Sequence, residues 1–297
     1  MGSSNARVHF NYIAPLNLEA ALFELRNNPG AVVIAGGTDV IPRWRNGLLQ
    51  PDLLIDLRLL KLCYISIEAN QVRIGACTSF SQMVASALLS EHFPALVEAC
   101  RQIASPPIRN RGTLGGNLIN ASPAADTAPP LLVYDAKLVL AKSGSARNLP
   151  VEKFFIGPGK TVREPDEILT EVRLSLCQTK MASNFLKLGK RQAMAIAVAS
   201  VAVRISFSDA GEVIQAHIAL GSVAPTPLRA RKAELLLEGK KPSDELINAA
   251  AHLAHEEAAP ISDIRASKAY RSRMVEVLVK RALYTVRAEL SRSNPDG

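Results

Sequence analysis

The chain has 297 residues, of which 48% are hydrophobic, 21% charged and 5% aromatic, values that exclude a disordered or low-complexity protein and suggest two domains. No apolar run approaches the roughly 18 residues needed to cross a bilayer, and the N-terminus MGSSNARVHF has no apolar signal core, so the sequence reads as soluble and cytoplasmic. The net charge of +8 is concentrated near the C-terminus, where eight Lys or Arg stand against two Glu between Arg265 and Arg292.

In chain order, Leu18, Leu22 and Leu25 recur at helical spacing behind the N-cap Asn17, and predict a helix from Leu18 to Asn28 that Gly30 closes. AVVIAGG predicts a buried strand running into a loop, VIPRWRNGLL a short helix, and LLIDL and QVRIGA two further strands. Ser79-Phe80-Ser81-Gln82 fits a capping box that opens a helix through about Leu89, and another helix is expected over Ala95 to Ala104. SPPIRNRGTLGGN reads as a loop; AKLVLA and EILTEVRLSL read as strands.

Near residue 180 the texture changes. NFLKLGK, AVASVAVRISF and VIQAHIALGSV predict three strands, with Asp209-Ala210-Gly211 turning the last two into a hairpin. Helices are expected over Leu228–Leu237, Asp244–Ala258 and Lys268 to about Ser291, which gives sheet first and helices after. In the last helix Met274, Val277, Leu278, Val279 and Leu283 suit one buried side opposite a basic, solvated or partner-facing one. Tyr270 and Tyr284 are the only aromatics there, too few for a base-stacking surface, so nucleic acid is not an expected partner.

Cys63, Cys77, Cys100 and Cys177 are widely spaced, and the five histidines show no ligand spacing. A thiolate cluster for a metal is therefore not expected, and the cysteines are read as mostly interior. A redox function would have to borrow an organic cofactor.

Two glycine-bearing segments carry the candidate chemistry. In Ala35-Gly36-Gly37-Thr38-Asp39-Val40 the glycines let successive amides point into one concavity, and Thr38 adds a hydroxyl, as a pyrophosphate requires. Asp39 would repel a phosphate, and is read as the cap of the next helix or an acceptor for a sugar hydroxyl. The second segment, Thr113-Leu114-Gly115-Gly116-Asn117, again pairs glycines with a hydroxyl. It continues through Asn120, Ser122 and Asp126, small polar groups amid apolar neighbours, the texture of a pocket wall. Asp126 can accept from ribose or ribityl hydroxyls, and Asn117 can both donate and accept. Neither segment is a Rossmann fingerprint or a Walker loop, and no catalytic triad or carboxylate pair stands out.

Taken together, VIAGGTDV, SPPIRNRGTLGGNLINASPAAD, YDAKL, FFIGPGKTVREPDEILTEV, GSVAPTPLRA and IRASKAYRSR resemble the FAD-binding medium subunit of molybdenum hydroxylases, closest to the bacterial xanthine dehydrogenase type. The likeness runs from about residue 33 to 273. It implies an α+β fold: a two-lobed FAD-binding domain of the molybdopterin dehydrogenase (PCMH) type over residues 1–180, with lobes of about 1–60 and 61–180. A small C-terminal domain of the CO dehydrogenase flavoprotein type, with a three-stranded antiparallel sheet and helices, then covers residues 181–297.

It further implies that Val33, Ile34, Ala35, Gly36, Gly37, Thr38, Asp39 and Val40 line the pyrophosphate side. Thr113, Leu114, Gly115, Gly116 and Asn117 would form a second phosphate and flavin loop, and Asp126 would meet the cofactor's polar groups. Ile103, Leu169 and Lys187 fall at the adenine or isoalloxazine ends. Relatives can carry an aromatic residue at position 103, where Ile103 cannot stack in the same way. The implied partners are a small subunit with two [2Fe–2S] clusters and a large molybdopterin subunit, with NAD⁺ the favoured acceptor. The subtype with an iron–sulfur cluster in this subunit, as in hydroxybenzoyl-CoA reductase, is excluded by the missing cysteine group. The competing readings are a free-standing flavin oxidase or reductase and a basic binding module without flavin.

Overall fold

The computed structural model describes residues 10–177, 179–191 and 193–292. The chain opens with β1 (Asn11–Ile13), α1 (Leu18–Asn27), β2 (Ala31–Ile34), α2 (Val40–Arg45) and β3 (Leu53–Asp56). The expected α1 forms as the sequence dictates: Asn17 Oδ1 accepts from the Ala20 amide at 2.9 Å, and Ala21, Leu22 and Leu25 are buried. The three strands make a parallel sheet in the order β1-β3-β2, with β3 buried along its whole length.

β4 (Ile65–Glu68) and β5 (Gln71–Gly75) follow, then α3 (Phe80–Ala85), α4 (Ala87–His92), α5 (Pro94–Arg101), α6 (Pro106–Arg111), α7 (Leu114–Ile119) and α8 (Ala128–Val133). Next come β6 (Lys137–Lys142), β7 (Ser145–Pro150), β8 (Phe155–Gly157), β9 (Lys160–Thr161) and β10 (Ile168–Ser175). An antiparallel five-stranded sheet in the order β4-β5-β10-β6-β7 packs its inner face against these helices.

The Ser79–Gln82 capping box is present, but the helix it opens stops at Ala85, because Ser86 turns extended and caps α4. The segment expected as a loop holds two helices. Pro106 and Pro107 occupy the first turn of α6, where a missing amide hydrogen costs nothing, and Thr113 caps α7.

The C-terminal part comprises β11 (Met181–Leu188), β12 (Ala199–Phe207), β13 (Val213–Gly221), β14 (Leu228–Arg229), α9 (Arg231–Leu237), α10 (Asp244–Glu257) and α11 (Lys268–Arg292). The hairpin of β12 and β13 turns as expected, with Gly211 at φ +79°. The sheet has four strands rather than three, because the start of the expected Leu228–Leu237 helix pairs instead with Ala219 and Leu220 as β14. β12 is buried on both faces: α9–α11 cover one, and Phe185, Ala202 and Ala219 face the core around α5 and α8 on the other. Three side chains lock this second contact at the C-terminal end of α8. Arg204 donates to Val133 O at 3.2 Å, His217 Nδ1 to the same carbonyl at 2.8 Å, and Arg229 to Leu132 O at 3.3 Å. They satisfy carbonyls that a helix end leaves open. Burial and the Arg229 charge both push the His217 pKa down.

Candidate functional site

The first segment turns between β2 and α2. Val33 and Ile34 lie in β2, paired with Ile55 and Asp56 of β3; Ala35 to Asp39 form the turn, and Val40 begins α2. Gly37 has φ +73°, a conformation that favours glycine. Gly36 meets a different demand. A Cβ there would lie 1.8 Å from Arg111 O, so the turn is pressed against the end of α6. The amides of Gly36, Gly37, Thr38, Asp39 and Val40 donate to no acceptor among the described residues. Asp39 does not cap α2 with its side chain; it sits 3.5 Å from Arg43 one turn on, which corrects the expected capping role.

The second segment is the first turn of α7, and its amides are already engaged. Leu114 N donates to Thr78 O at 3.0 Å, Gly115 N to Ala76 O at 2.8 Å, Gly116 N to Thr113 Oγ1 at 3.1 Å and Asn117 N to Thr113 O at 3.0 Å. Leu114 and Gly115 are buried, and a Cβ on Gly115 would meet Ala76 Cβ at 2.7 Å. These two residues fit α7 onto β5's exit. Gly116 is exposed, and a Cβ added there would meet the Thr113 hydroxyl at 3.0 Å. Asn117 Oδ1 accepts from Thr127 Oγ1 at 2.6 Å, which directs the acceptor inward and leaves its amide hydrogens for other partners.

Asp126 and Lys187, 61 residues apart, form a buried ion pair of 2.6 Å. Lys187 Nζ also donates to Gln102 O at 3.2 Å, which brings Ile103 beside the pair. Asp126 Oδ1 is buried without a partner. Burial lifts the Asp126 carboxyl to a pKa of about 6 against the pull of Lys187. Leu169 is buried in β10 opposite Leu140.

Two cavities adjoin these groups. One of about 450 Å³ joins Ala35 and Gly36 with Thr113, Ser79, Arg58 and Arg111; the other, of about 320 Å³, is lined by Gln102, Lys187, Lys190 and Arg191. Of the five cations lining these cavities Lys187 was expected at the site, and Arg58, Arg111, Lys190 and Arg191 were not; of these Arg111 alone carried a signal, standing two residues before Thr113. Cys63 is exposed and Cys77 half-buried, and both line the larger cavity, so only Cys100 is fully interior. Among the described residues no group of three His, Cys, Asp or Glu could hold a metal ion, and no helix is long and apolar enough to cross a membrane.

An open amide turn and a polar helix start that share one cleft, with a buried carboxylate–ammonium pair that ties the loop before α8 to β11, define an α+β cofactor-binding protein. Residues 8–177 match the family model for the FAD binding domain in molybdopterin dehydrogenase, and residues 184–286 match the CO dehydrogenase flavoprotein C-terminal domain. The chain is 33% identical to the nicotinate dehydrogenase FAD-subunit of Eubacterium barkeri, over 95% of this chain and 97% of that one. It is equally similar, at 33%, to the xanthine dehydrogenase FAD-binding subunit of Escherichia coli O157:H7, over 92% and 94% of the two chains. A carbon monoxide dehydrogenase structure from Hydrogenophaga pseudoflava superposes with a TM-score of 0.90 at 33% identity, covering 94% of this chain and 98% of that one. The chain belongs to the FAD-binding medium subunits of the molybdenum hydroxylase family, and is an oxidoreductase component.

Proposed function

We propose that the chain is the electron-exit subunit of a molybdenum hydroxylase, with residues 1–180 as the flavin domain and 181–297 as the second domain. The observation that carries the reading is the turn of Gly36 to Val40, whose five amides are unspent beside a cleft shared with Thr113. Such a nest suits a pyrophosphate. The residues fit the rest of FAD as well. Asp126 Oδ1 is a buried acceptor awaiting a donor, and Gly116 leaves its side of α7 open. Asn117 has amide hydrogens to give, while Ile103 and Leu169 supply apolar surface.

In this reading Val33 to Val40 hold the phosphates. Thr113, Gly116 and Asn117 orient the cofactor from α7, with Leu114 and Gly115 seating that helix; Lys187 fixes Asp126. Bound FAD supplies the redox chemistry, and the protein binds, orients and shields it. The [2Fe–2S] clusters are assigned to a small partner subunit and molybdopterin to a large one, in a cytoplasmic complex, with NAD⁺ the favoured acceptor on the likeness to xanthine-type relatives.

The test compares the isolated chain, reconstituted with FAD, with the assembled complex. The chain alone should bind FAD and pass electrons to a soluble acceptor, yet oxidise no purine, aldehyde or carbon monoxide. Substrate turnover by the chain alone at the rate of the complex would favour a free-standing flavoenzyme instead.

A further inference from the structure

The larger cavity carries more positive charge than an amide nest alone requires. Arg58 and Arg111 both line it, and no carboxylate does. The two guanidiniums are not equivalent. Arg58 is tied to Asp56 at 2.8 Å and donates to the Tyr12 hydroxyl, so most of its charge is compensated. Arg111 is exposed and forms no ion pair with any described residue. Its backbone, however, is fixed. Arg111 is the last residue of α6, whose end is closed by Gly112 N–H onto Ile108 O at 2.6 Å, and Arg111 O fills the space that a side chain on Gly36 would take. The stem of this unpaired cation therefore starts against the turn that holds the free amides.

A pyrophosphate brings formal negative charge that amide dipoles meet only in part. A guanidinium supplies a whole charge and a planar pair of donors matched to phosphate oxygens. Resting on the reading of FAD given above, we propose that Arg111, assisted by Arg58, neutralises the cofactor's pyrophosphate and makes this cleft select FAD over flavins that lack one. Asp39, the one acid in the turn, has Arg43 as its counter-charge at 3.5 Å. The lone charge of Arg111 has a consequence an amide nest does not. An exposed ionic contact is screened over about 8 Å at physiological ionic strength, so FAD affinity should fall with salt, and most of that fall should depend on residue 111.

The experiment titrates the flavin-free full chain with FAD and with riboflavin at low and high salt, following flavin fluorescence, for the wild type, Arg111→Met and Arg111→Lys. Arg111→Met should weaken FAD roughly tenfold or more, leave riboflavin affinity unchanged and flatten the salt dependence. Arg111→Lys should keep the salt dependence and recover part of the affinity. Thermal melting of each variant reports folding; should Arg111→Met not fold, Arg111→Gln carries the same comparison. Equal losses for FAD and riboflavin, or an unchanged FAD affinity and salt slope, would overturn the assignment to Arg111. A wild-type chain that binds no FAD at all would overturn the flavin reading itself.

Discussion

The two glycine segments look alike in sequence and behave oppositely in the structure. In the turn at Gly36–Val40 five amides have no acceptor among the described residues, whereas in the first turn of α7 every amide from Leu114 to Asn117 is engaged within the protein. In the proposed reading the first segment offers backbone to FAD, and the second offers one exposed face at Gly116 and the side chains of Thr113 and Asn117. A glycine pair therefore marks more than one physical need. At Gly36 and Gly115 the need is room for another part of the backbone and at Gly37 a positive φ, whereas Gly116 is exposed and faces only the Thr113 hydroxyl.

Substitutions can break this comparison one glycine at a time. Gly36→Val should be the most damaging, since even the first carbon of the side chain would lie 1.8 Å from Arg111 O. We expect a loss of about 3 kcal/mol or more in denaturant unfolding, together with loss of flavin. Gly115→Ala forces a Cβ within 2.7 Å of Ala76 Cβ and 2.8 Å of Ala76 O, and should cost about 2 kcal/mol. A Gly115→Ala protein as stable as the wild type would show that α7 can shift on β5, and that its amides are less committed than their bonds suggest.

Thr113→Ala removes the acceptor for Gly116 N and should cost about 1 kcal/mol; Thr113→Ser should restore it. A further effect is a pH dependence. Folded Asp126 takes its proton near pH 6 instead of 3.8, so between those values the folded chain holds more protons than the unfolded one. Its contribution to stability should then decline as pH rises from about 4 to about 6. Melting temperatures of the flavin-free wild type should fall across that interval relative to Asp126→Asn; parallel curves would remove the raised carboxyl from the account.

Much of the fold was legible where local chemistry and tertiary packing agree. Asn17 caps α1 and Ser79 opens α3 as their side chains dictate, and the apolar runs of β12 and β13 become strands covered on both faces. The missed strands were those with little apolar signal. β7, SARNLP, is a half-exposed edge strand, and β4 is an exposed one. Pro and Gly misled in the segment before Asn120, because both residue types are tolerated in a helix's first turn, where α6 and α7 place them. Of the site, the turn at residues 35–40 was readable from its glycines. The Asp126–Lys187 pair was reachable only through family likeness, since no local pattern links positions on α8's approach and β11. The cationic lining at Arg58 and Arg111 depends on how β3, α6 and the first turn meet in space.

The central claim, that an open turn and the open face of α7 together hold FAD, is tested most directly at Gly116. A Cβ there would meet the Thr113 hydroxyl at 3.0 Å and nothing else, so Gly116→Val should still fold, at a cost of about the 1 kcal/mol of that cap. The measurement is the visible spectrum and flavin content of the purified full chain. The account predicts stoichiometric FAD in the wild type and a folded, colourless Gly116→Val protein. Full flavin content in that variant, or a wild-type chain that takes up no FAD, would contradict it.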